Sequence, residues 1–198
     1  MTRILPMPTG FPAGSNLACA ELKRVSPSAA EAVELDPLSV LNNWGLTSEY
    51  YFSRDYNHAI EQANKTLEID PKYPEAVEYL GLAYEQMGNY KQAMEQWIEI
   101  EQLQGHEARA KELRQVYEKS GYTGYLRKDA KDREAEGDYY YAAEDHAMLG
   151  EKDAAFAALE KAFASRARIV DMNNDPELDN IRSDPRYTDL LRRIGLPR

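Results

Sequence analysis

The sequence predicts an all-α protein assembled from tandem helix pairs, and three observations carry that prediction. The stretch Asp36–Asp70 repeats itself 34 residues on: Pro37 falls on Pro71, Leu46 on Leu80, Thr47 on Gly81, Tyr50 on Tyr84, Tyr56 on Tyr90 and Ala59 on Ala93. Within the copies apolar residues recur at helical spacing, as Ile60, Ala63 and Leu67 do, which marks one face of a helix. Between the periodic stretches stand breakers such as Gly88-Asn89, Gly105, Ser120-Gly121 and Gly150, placed where helices stop and turn.

Residues 1–27 hold Pro6, Pro8 and Pro12 with Gly10 and Gly14 near their start and read as an irregular segment. Ser15 is positioned to cap a short helix through Val25. Ser26-Pro27 then breaks it and opens a helix over 28–35. The first full unit, about 38–71, holds helices Leu38–Phe52 and Tyr56–Ile69; the second, about 72–105, holds Tyr73–Met87 and Tyr90–Leu103. After Gly105 the period fails, because Lys111 and Arg114 fall where large apolar residues are needed. Irregular helices over 107–119 and 123–136 are expected instead. The charge run Arg127–Glu136 reads as a solvent-facing helix with pairs at i,i+4. A divergent unit follows at 137–170: Asp138 caps a helix through Met148, and a second runs over Asp153–Ser165, with Ala155, Leu159 and Ala162 on its core face and His146 in the position of Tyr50 and Tyr84. In the tail, 171–198, Asp175-Pro176 and Asp184-Pro185 each open a short helix. Leu190, Leu191 and Ile194 form an apolar stripe that Gly195 ends, suited to capping the last helix pair.

The period and residue types resemble the tetratricopeptide repeat. The second copy carries Pro71, Leu80-Gly81, Tyr84, Gly88, Ala93 and Trp97 in the positions this family uses; the first departs at Thr47, for Gly, and Ala63, for a large aromatic. The resemblance implies a right-handed superhelix of antiparallel helix pairs over 28–198. A narrower likeness rests on Asn42-Asn43-Trp44-Gly45, Phe52-Ser53-Arg54-Asp55-Tyr56, Gly121-Tyr122-Thr123-Gly124-Tyr125-Leu126-Arg127 and Arg182-Ser183-Asp184-Pro185-Arg186-Tyr187. These phrases resemble the C-terminal repeat regions of bacterial winged-helix regulators and serine/threonine kinases. The stretch before residue 28 is too short for either effector domain, so the resemblance implies an interaction module without one.

Composition narrows the function classes. With 34 acidic against 24 basic residues and a net charge of −10, the surface repels polyanions, which argues against direct nucleic-acid binding. The single cysteine, Cys19, cannot form an internal disulfide and asks for no oxidising compartment. No apolar run is long enough to span a bilayer. Leu17-Ala18-Cys19 is faintly lipoprotein-like, but Asn16 and the prolines spoil the signal, so a cytoplasmic protein is expected. His58, His106 and His146 lie in separate elements without metal-site spacing, and neither a phosphate loop nor a nucleophile elbow is present. The sequence therefore reads as non-enzymatic, with no cofactor and no metal.

In the family this chain resembles, the first helix of each unit lines a concave groove. Carried over position by position, the groove is offered by Leu41, Trp44, Ser48 and Tyr51 in the first unit and by Glu75, Glu78, Tyr79, Leu82 and Glu85 in the second. Aromatic faces give contact area at low entropy cost and carboxylates accept from Lys or Arg, so the implied ligand is a protein or peptide with basic and bulky apolar residues. The same side chains could instead pack between helices or serve solubility, and both readings stay open. The acidic lining argues against capture of a C-terminal carboxylate. Two further roles remain: self-association to a homodimer through an incomplete first unit, and service as a regulatory subunit or remnant of a signalling protein.

Overall fold

Local signals fix the helix ends. In a computed structural model, which describes residues 29–165 and 169–196, Ser39 accepts a hydrogen bond from the Asn42 amide and Asp55 from the His58 amide, opening two helices. Pro74 starts another, its fixed φ suiting the first turn. The helices are α1 (Ala29–Leu35), α2 (Val40–Phe52), α3 (Tyr56–Ile69), α4 (Pro74–Gln86), α5 (Tyr90–Leu103), α6 (Glu107–Glu136), α7 (Tyr139–Met148), α8 (Lys152–Ala164) and α9 (Pro185–Ile194), with 3-10 helices at Val170–Asn173 and Pro176–Ile181. Among the described residues the protein is all-helical and no strand occurs. The expected Ser15–Val25 helix, Cys19 and the lipoprotein-like tripeptide lie outside the described residues.

Six helix ends close in one way. The amides of Asp55, Asn89, His106, Asp138, Glu151 and Leu196 each donate to the carbonyl five residues earlier, at 2.9, 2.8, 2.8, 2.8, 2.9 and 3.0 Å. This capping geometry places the preceding residue in the left-handed region. Glycine fills that place five times, and Arg54, with φ 66°, fills it once. Gly121, at φ 64° and ψ −169°, breaks α6 where Ser120-Gly121 predicts an interruption.

Each helix packs on the next in chain order, and α2 also touches α4. Close approach decides one contact: a Cβ on Gly81 would lie 2.9 Å from the Trp97 ring. At the same offset in the first unit stand Thr47 and Ala63, both fully buried; the larger residue has moved from one helix to its partner. Asn43, also buried, donates to the Pro37 and Ser39 carbonyls at 2.9 and 2.8 Å and accepts from Gln62 at 2.5 Å, so the Asn42-Asn43 pair does structural work.

The tail is where the structure exceeds the sequence reading. Asp175 and Asp184 cap their helices as expected, accepting from the Glu177 and Arg186 amides. The first of these helices is 3-10. It packs against α7, and its Asp179 receives a two-pronged hydrogen bond from Arg54, at 2.9 and 2.7 Å, 125 residues away at the end of α2. The tail therefore covers more than the last helix pair.

Candidate functional site

Side chains from α2, α4, the second half of α6, α7 and the tail form one continuous patch, the wall. Its first-unit end is aromatic. Tyr79 stands edge-on to Trp44, Tyr51 and Phe52, at ring centroid distances of 6.4, 5.5 and 6.4 Å. Such edge-to-face pairs fix ring positions beyond simple burial. Burial pushes the Tyr79 hydroxyl up to about 12. The Trp44 Nε1 and Tyr51 hydroxyl are buried without a hydrogen-bond partner.

The rest of the wall is acidic. Arg133 sits centrally, bonded to Asp129 at 2.6 Å, 3.5 Å from Asp145 and over the Tyr141 ring at 5.0 Å. Burial opposes its charge, but Asp129 and Asp145 hold it protonated well above its ordinary range. Glu78 and Glu85 are both pushed up to about 7, mainly by burial; Glu75 adds to the first, while Tyr122 and Arg133 restrain the second. Glu144, Asp145 and Glu177 are raised as well: burial leads in each, neighbouring carboxylates add to it and Arg133 opposes it. One guanidinium thus faces an excess of carboxylates in a region where water is scarce, which is costly unless protons or other cations share the load.

The sequence-derived residues divide by accessibility. Leu41 is exposed; Trp44, Ser48, Glu75, Glu78, Tyr79 and Leu82 are half-buried. Tyr51 and Glu85 are 1% and 4% exposed, so they present no free surface and act from behind the wall. The charge run Arg127–Glu136 needs a correction. Its expected i,i+4 pairs are present, as Lys128 to Asp132 at 2.6 Å and Arg133 to Asp129 at 2.6 Å, but Asp129 and Ala130 are buried. Leu126 and Ala130, spaced i,i+4 and both buried, were the available signal that this helix has an inward face. The tail carboxylates Asp175 and Glu177 gave no signal beyond capping.

The three histidines each bond a carboxylate at a helical turn: His58 to Asp55 at 2.7 Å, His106 to Glu101 at 3.0 Å and His146 to Glu151 at 2.9 Å. His146 thus joins the two ends of a turn. No described helix is long and apolar enough to cross a membrane.

No protein-family model and no curated protein matches the chain.

Proposed function

We propose that this chain is a non-catalytic, tetratricopeptide-like binding module, a right-handed superhelix whose inner wall receives a protein segment carrying basic and bulky apolar residues. The observation that carries the reading is the wall itself, where half-buried Trp44, Tyr79 and Leu82 adjoin half-buried Glu75 and Glu78. An aromatic anchor beside a carboxylate suits a lysine or arginine flanked by a large side chain. Tyr51, behind Tyr79, fixes the ring against which the ligand would rest. We assign such a module to the cytoplasm, as the sequence reading expects.

A peptide library screened against the full chain tests this. Enrichment should favour Lys or Arg next to aromatic or branched residues, weaken with added salt and vanish in a Trp44→Ala, Glu78→Lys double variant that keeps its helical circular dichroism. Equal capture by both proteins would overturn the groove as the working surface.

A second reading rests on a separate observation. Leu35 at the end of α1, Leu38 in the turn after it and Leu41 in the first turn of α2 are 79%, 77% and 64% exposed, and a second copy could cover them. Light scattering that shows mass rising with concentration, abolished by Leu38→Ser, would favour a homodimer through this end.

A further inference from the structure

Beside its aromatic rings the wall leaves two carboxylates uncompensated. Glu75 and Glu78, one turn apart on α4, are half-buried next to Tyr79 and Leu82, and among the described residues neither forms an ion pair. Arg133, the wall's guanidinium, is spent on Asp129 at 2.6 Å and Asp145 at 3.5 Å. Trp44 is half-buried and stands edge-on to Tyr79 at 6.4 Å, so an exposed aromatic face adjoins carboxylates that want a cation.

The chain itself holds the complement. Ahead of α1, which begins at Ala29, residues 1–28 carry three basic residues, Arg3, Lys23 and Arg24, against one acidic residue, Glu21, in a chain whose net charge is −10. Two of these cations are adjacent and stand between branched apolar residues, as Leu22-Lys23-Arg24-Val25. This matches the chemistry of the wall: two cations for two carboxylates, with a bulky side chain on either flank for the rings. Arg3 is a single cation far from α1.

The segment is also tethered within reach. The Asn42 side chain donates to the Ala32 carbonyl at 3.0 Å, which lays α1 against the first turn of α2, two residues from Trp44. Ala29 lies three residues before Ala32, about 4.5 Å along α1. From Lys23 to Ala29 the chain spans up to about 20 Å if extended, and about 16 Å if a helix runs to Val25. Either length carries the two cations to Trp44 and Tyr79 with α1 unmoved.

Given the binding function proposed for the wall, we propose that Leu22-Lys23-Arg24-Val25 is an internal ligand that occupies it in cis, Lys23 and Arg24 pairing with Glu75 and Glu78 while Leu22 and Val25 rest on Trp44 and Tyr79. A tether this short holds its segment near the wall at millimolar effective concentration. A partner of the same chemistry must therefore displace it, and binds more weakly than the bare wall allows.

The test uses the full chain. A fluorescein-labelled peptide of residues 15–28 should gain anisotropy when titrated with a Lys23→Glu, Arg24→Glu variant, whose wall is vacated, and should bind the parent roughly tenfold more weakly because the internal copy competes. Adding Glu78→Lys to that variant should abolish binding while helical circular dichroism is kept. Carbodiimide coupling of the parent needs no variant: it should join Lys23 to Glu75 or Glu78 within one chain, read by mass spectrometry of the monomer. Equal affinity of the peptide for parent and Lys23→Glu, Arg24→Glu, or absence of the Lys23 cross-link, would overturn the proposal. A cross-link found only in a dimer would also overturn it, in favour of a second copy. Failure of this peptide while library peptides still bind removes the internal ligand alone; failure of both removes the groove as well.

Discussion

Replacing Glu85 by glutamine makes the protein more stable at alkaline pH and leaves it nearly unchanged in mild acid. Burial moves the Glu85 carboxyl from 4.5 to about 7, so between these values the folded state holds a proton that the unfolded chain releases. Its stabilising contribution is complete below about 4.5 and is lost as pH rises through about 7. At about 1.4 kcal/mol per tenfold change in proton affinity, the ionised group costs about 3 kcal/mol once pH is above 7. For a chain of this length that corresponds to a difference of about 5–10 °C in melting temperature. Glutamine keeps the shape, can still accept from Tyr122 and cannot ionise. Thermal unfolding followed by circular dichroism at pH 5, 6, 7 and 8, with chelator present, should show the two proteins together at pH 5 and the variant higher by that margin at pH 8. Carboxylates held low by partners, such as Asp184, pulled down to about 2 by Arg186, contribute above pH 4 and do not enter this window. The wild type should also melt at falling temperature across the window, since Glu78 titrates over the same range; both carboxyls face Arg133, so their effects will not add. A variant that melts lower at pH 8, or a difference that does not vary with pH, would refute the assignment of Glu85 as a buried acid.

Two other outcomes follow from packing. Gly81→Ala drives a methyl into the Trp97 ring and should cost about 1–3 kcal/mol in urea unfolding; a Gly81→Thr, Trp97→Ala pair, copying Thr47 and Ala63, should cost less than the sum of its single changes. Arg54→Gly exchanges a strained backbone, worth about 1–2 kcal/mol, against an exposed ion pair with Asp179 worth about 0–1 kcal/mol. Global stability should therefore hold or rise while amides of the 176–181 segment exchange faster with solvent, and unchanged exchange there would show that the pair does not hold the tail.

Much of the helical order was legible because its signals are local. The Asp-Pro pairs, Gly88, Gly105 and Gly121 act within a turn of where they stand, and each marks a boundary that the structure shows. The wall was half legible. Glu78, Tyr79 and Glu85 were placed by their repeat positions, but Asp129 and Arg133 were hidden inside a run whose alternating charge looks like a solvated face. What separates the two cases is burial beside another helix, which Leu126 and Ala130 hint at and a charge count does not. The return of Asp179 to Arg54 was not legible at all. Nothing near either residue encodes a partner 125 positions away, and Arg54 breaks the glycine preference of its turn without announcing why.

That single long-range tie alters how such a molecule comes apart. In an array where each helix leans mainly on its neighbours, opening begins at the ends and works inward, one unit at a time. Here the 176–181 segment returns to the first full hairpin through the Arg54–Asp179 pair, so the helices between them are closed into a loop. The helices behave less like a row of dominoes and more like a belt with a light buckle: an exposed pair of this strength should change the order in which the units open without making their loss all-or-none.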